Sequence, residues 1–198
     1  MKYPLLKLFV LLFPVVSHGH HPMGGEAPET AIQGLLSGLG HPIIELDHFL
    51  FVVGFAGFLA LCSRKIIIHA GLFLALAMVG TLGHLARPDL PYMEAGIVLT
   101  TVIVGGFLLV QKLDSARLLW FLAPVAGLLH GYGYGGAIVG AENTPVFAYL
   151  MGFTIIQTML MFAIVHCLKR FGSDPQSDGF SVYRSFCGAV MISLAFLV

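Results

Sequence analysis

Charge is what this chain of 198 residues has least of. Ten Lys and Arg stand against ten Asp and Glu, so 10% of residues are charged and the formal net charge is zero. A soluble domain carries about 25% charged residues, and this chain cannot coat a single core with so few. The balanced charge and the want of any basic run exclude nucleic acid as a partner. Cysteine is also scarce. Cys62, Cys167 and Cys187 form no Cys-x-x-Cys pair, which excludes a disulfide framework and a thiolate zinc site. There is no Walker motif for ATP and no Gly-x-Ser-x-Gly element. Repeats of roughly 20–50 residues and barrel-type alternation are missing too. What is abundant is apolar: 58% of residues are hydrophobic and the mean hydropathy is +0.92. The chain therefore reads as an all-α membrane protein.

The N-terminus has the pattern of a secretory signal in residues 1–19. Lys2 and Lys7 precede a short apolar stretch, and small residues follow at Ser17 and Gly19. Cleavage there would expose "HGHHPMGGEAPET", where His20 and His21 could collect a divalent metal or simply lead the chain into water. Residues 20–40 form this leader plus a short amphipathic segment over 30–39. Residues 41–198 form the membrane domain. A crossing helix needs about 20 mostly apolar residues, and six candidates follow, over 42–62, 66–86, 91–111, 118–136, 146–168 and 182–198. Arg64, Lys65, Lys112, Arg117, Lys169, Arg170 and Arg184 cluster at the odd-numbered linkers, while Arg87 alone marks the even ones. The positive-inside rule then puts both ends of the mature chain in the periplasm of a bacterial inner membrane. Trp120 and Tyr92 fit interface anchors.

This topology gives the ionisable residues a depth. "GHPIIELDHFLF" opens the first span with His41, Glu45, Asp47 and His48. Positions 41, 45 and 48 share one helix face, with Asp47 turned about 100° from His48. Pro42 suits a first helical turn. His84, Glu94, His130 and Glu142 fall at the same outer level, whereas His69 and His166 lie at the inner ends of their spans. His69, His84 and His166 are read first as structural or interfacial. Burying an Asp at a membrane helix centre costs about 2.5–3.5 kcal/mol on insertion scales. A bound cation offsets that cost, with protonation as the rival. Imidazole and carboxylate without thiolate suit several divalent ions, and composition does not choose among them. "GYGYGG" has the look of a potassium filter, but a filter needs four copies about one axis, and nothing else supports one.

"HPIIELDHFLFVVGFAGFLA" resembles the first-span signature of the HupE/UreJ family of bacterial membrane proteins, His-Pro-x-x-Gly-x-Asp-His before a Leu-rich run. "LLHGYGYGGAIVGAENTPVFAYLMGFTIIQTMLMFAIVH" resembles that family's second region. There His-Gly-x-Ala-His-Gly is followed by a Glu, a Tyr-x-x-Gly-Phe helix start and a late His. The resemblance covers essentially the whole mature chain. It implies nickel uptake, with cobalt next, often beside nickel enzymes such as hydrogenase or urease. Carried over by position, it implies metal handling by His41, Asp47, His48, Glu94 and His130, and more weakly by His166. Two positions depart. The family Gly is Glu45 here, which adds a carboxylate to the His41/His48 face. The second His of the later element is Tyr134, so one imidazole is missing. Glu45, His20, His21, His84, Glu142 and His166 complete the list of secondary metal or relay candidates.

A permease is the leading expectation, with membrane lipid and a divalent metal ion as partners, no permanent cofactor, and homo-oligomerisation left open. Its uptake would weaken as pH falls through the His range, because the ligands must be deprotonated. A zinc-dependent intramembrane hydrolase and a metal-binding accessory protein for metalloenzyme maturation are the alternatives.

Overall fold

A computed structural model of the chain describes residues 26–88, 90–110, 116–171 and 178–195. The signal expected over residues 1–19, and His20 and His21, lie outside the described residues. All regular structure among the described residues is helical. In chain order the helices are α1 (Ala31–Ile44), α2 (Leu46–Cys62), α3 (Ile66–Ala86), α4 (Met93–Leu109), α5 (Ala116–Tyr134), α6 (Asn143–Phe171) and α7 (Asp178–Ala195). A 3-10 turn, Gly135–Ile138, extends α5. Two described helices, Ile66–Ala86 and Asn143–Arg170, are long and apolar enough to cross a bilayer. The bent pair α1 and α2 makes a third if it counts as one crossing.

The first helix departs from the expected pattern. The amphipathic segment expected at 30–39 and the span expected from residue 42 overlap in one helix, α1. Its start is fixed by a capping box: the Thr30 hydroxyl accepts from Gln33 N, and Gln33 Oε1 accepts from Thr30 N. Two orphan amides are thereby satisfied, and the helix begins well before the signature. Pro42 therefore sits inside α1, near its end, and not in a first turn. Lacking an N–H, it cannot bond back to the preceding turn, and α1 stops at Ile44. Glu45 is extended (φ −81°, ψ 107°), serves as C-cap of α1 and N-cap of α2, and turns the chain by 74°.

Small residues set the helix pairings. A Cβ on Gly34 or Gly38 of α1 would run into the Pro145 or Tyr149 carbonyl of α6. A Cβ on Gly127 or Gly131 of α5 would meet the Phe73 or Ala77 carbonyl of α3. In both pairs the matched numbers rise together, so the helices run parallel. Close backbone approach through small residues is the usual means of joining helices in lipid. The α3/α5 seam is also tied by Thr81 Oγ1, which donates to the carbonyls of Ala77 and Gly131 at 2.9 Å each. Helix α7 runs antiparallel to α2 and α4. Tyr183 donates to the Val53 carbonyl (2.6 Å), and Arg184 Nε to the Leu108 carbonyl (3.0 Å). The main apolar core holds Phe51, Phe55, Phe58, Phe73, Met161 and Met191. A second cluster holds Tyr134, Ile138, Tyr149 and Phe153. Exposed Ile32, Leu36, Ile43 and Ile44 give α1 an outer face suited to lipid.

Candidate metal centre

The bend at Glu45 assembles the site. Seven residues of straight α-helix rise about 10.5 Å, yet the rings of His41 and His48 have centroids only 5.8 Å apart across the turn. Glu45 Oε2 lies 3.3 Å from Nε2 of His41 and 3.3 Å from Nε2 of His48. The three donor atoms fall within 4.8 Å of one another, the one such group of His, Cys, Asp or Glu among the described residues. Both imidazoles are almost fully buried, while Glu45 is part-exposed. His41 Nε2 makes no well-directed hydrogen bond despite the nearby carboxylate. Donors on one ion at about 2.0–2.1 Å, at roughly tetrahedral angles, stand about 3.3–3.4 Å apart. The carboxylate thus stands from each imidazole at the separation a shared dication would impose.

Aromatic rings wall this group. Tyr134 packs edge-on against both imidazoles, at 5.5 Å from His41 and 4.4 Å from His48. Tyr149 closes the other side of His41 at 6.1 Å and donates to the Tyr134 carbonyl at 2.9 Å. The Tyr134 hydroxyl is buried with no hydrogen-bond partner. His130 follows as a neighbour of His48, 5.7 Å between centroids, stacked on Phe51 at 3.7 Å. Its Nε2 meets Thr100 Oγ1 at 3.1 Å, and its Nδ1 has no partner.

The structure gathers some of the sequence-derived candidates and separates others. His41, Glu45 and His48 converge, and His130 adjoins them. Asp47 is half-buried and outside the converging donors, though near enough to His48 and Tyr134 to act on them electrostatically. Glu94 and His84 line a separate cavity of about 440 Å³ with Tyr92, Tyr132, Ile97 and Gly133. Gly133, which lines that cavity, also packs close to the site: a Cβ there would lie 3.1 Å from Cε1 of His48. Glu142 is exposed before α6, and His166 is exposed near its far end. His69 is buried elsewhere, bonded to Ser63 Oγ at 2.7 Å and edge-on to Trp120.

Two wall residues have no place among the sequence-derived ligands. Tyr134 counts there only as a missing imidazole, although its spacing of four from His130 puts both on one face of α5. Tyr149 begins the Tyr-x-x-Gly-Phe element, but nothing local signals that its ring faces His41.

Comparison with known proteins gives two matches. The model of the HupE / UreJ protein family fits residues 8–198. "Protein HupE" of Rhizobium leguminosarum bv. viciae is 26% identical over 203 residues, covering all of this chain and 99% of that protein. No solved structure matches.

Proposed function

The chain belongs to the HupE/UreJ family, and from that premise we propose that it is an inner-membrane uptake permease for a divalent transition-metal ion, nickel first and cobalt second. One observation carries this reading: two buried imidazoles and a carboxylate converge across a helix bend inside an apolar bundle. Charged groups at membrane depth are expensive and mark ion pathways. The pairing of α3 with α5 supports the six-crossing topology, since parallel neighbours in sequence order need a return crossing between them. Helix α4, at 17 residues, is at the short end of what spans a bilayer.

In this reading the hydrated cation enters from the outer face through the cavity beside Glu94 and His84. The donors of His41, Glu45 and His48 replace part of its water shell. Asp47, half-buried beside His48, adds negative potential, and His130 stands as the next imidazole inward. Because His41 and His48 ride on different helices, a change in the bend at Glu45 separates them and weakens their hold on the ion. In this reading the same bend serves release as well as capture.

The test is metal flux into vesicles holding the pure protein. Wild type should carry Ni²⁺ or Co²⁺, and the His41→Ala/His48→Ala variant should carry neither. A protein that binds metal but moves none across the bilayer is the accessory protein instead. Normal flux in the double variant rejects the site.

A further inference from the structure

Helix α6 carries three polar side chains in mid-course, and they are treated differently. Thr154 Oγ1 donates to the Leu150 carbonyl and Thr158 Oγ1 to the Thr154 carbonyl, both at 2.7 Å. Gln157 is fully buried, and neither its Oε1 nor its Nε2 has a hydrogen-bond partner. An amide buried without partners costs about 1–3 kcal/mol. A Leu of similar volume would avoid that cost entirely. A polar group kept against local preference, in the interior of a membrane bundle, marks a functional position.

Its register says which function. Residues 149, 153, 157 and 161 lie on one face of α6. Tyr149 walls His41, and Phe153 packs on both Tyr134 and Tyr149. Met161 belongs to the main core with Phe51, Phe55 and Phe73. Gln157 therefore stands one turn, about 6 Å, beyond Phe153, and about 12 Å of helix rise beyond Tyr149. Its unpartnered amide oxygen lies beyond Phe153 from the three converging donors.

We propose that Gln157 is a second cation station, which takes the partly hydrated divalent ion after it leaves His41, Glu45 and His48. This rests on the permease reading. The chemistry is apt for a transit site. A neutral amide oxygen binds a dication more weakly than a carboxylate does, and conduction requires sites that are easy to enter and also easy to leave. Phe153 would be the apolar constriction between the two stations.

The experiment compares full-length wild type with Gln157→Leu and Gln157→Glu, by Co²⁺ binding in detergent and Co²⁺ flux in vesicles. Gln157→Leu should keep its Co²⁺ affinity within about twofold and its thermal midpoint at or above wild type, while flux falls about tenfold. Flux within about twofold of wild type overturns the proposal. So does a parallel loss of affinity and thermal stability, which would make the amide a structural support. A wild-type protein that binds Co²⁺ but carries none removes the permease reading, and the equilibrium arm then decides the station alone. A second bound equivalent in Gln157→Glu keeps it, and a single equivalent rejects it.

Discussion

Glu45→Gln isolates the charge of the site from its shape. The amide is nearly the size of the carboxylate. The backbone at Glu45 (φ −81°, ψ 107°) is open to any residue, and its hydrogen bonds to the His41 carbonyl and from Phe49 N involve no side-chain atom. The bend should therefore persist, with His41 and His48 still facing one another. What disappears is a negative charge 3.3 Å from each Nε2. Interactions with a charged group contribute about 1.5–3 kcal/mol and neutral ones about 0.5–1.5, a charge-assisted contact being roughly twice as strong. The difference of about 1–2 kcal/mol corresponds to about 5- to 30-fold in affinity, and a dication makes this a lower bound. Isothermal titration with Ni²⁺ and Co²⁺ in detergent reads it directly, with circular dichroism to show that the helices remain. An affinity within about twofold of wild type, on an intact fold, would refute the assignment of Glu45 as a ligand.

Three further outcomes follow from the same geometry. Asp47→Asn should weaken binding through lost field, and because Asp47 is half-exposed the loss should shrink as salt rises, whereas that of Glu45→Gln should not; titration at low and high ionic strength separates the two. Gly131→Ala should lower stability by about 1–3 kcal/mol, since its Cβ meets the Ala77 backbone, and an unchanged thermal midpoint would contradict the α3/α5 seam. Tyr134→Phe removes a buried hydroxyl that has no partner, so thermal stability should hold or rise and metal affinity should stay put; a fall in affinity would make the hydroxyl a ligand.

Much of the fold was legible because lipid simplifies the code. Apolar length and the lack of charge locate helices such as Ile66–Ala86 without reference to packing. The break at Glu45 is less legible. The i, i+4, i+7 spacing of His41, Glu45 and His48 does place them together on a helix face, and the three do meet, but across a bend. Pro42 looks like a helix start from the sequence, and only the capping box at Thr30 shows it to be near a helix end. The separation of Asp47 from the donors follows from the rotation of about 100° per residue, which the spacing contains. The packing of Tyr149 against His41, and the unpartnered amide of Gln157, depend on which face of α6 meets α1 and α2. Contacts between distant segments settle that, and periodicity in an almost uniformly apolar helix does not.

On the proposed reading, side chains on either side of one helix bend share a single divalent ion. X-ray absorption at the nickel edge of the loaded protein tests it most directly. The spectrum should show nitrogen and oxygen ligands with imidazole scattering, no sulfur, and loss of the imidazole signal in His41→Ala/His48→Ala. Sulfur in the first shell, or a spectrum unchanged by that double substitution, would contradict it.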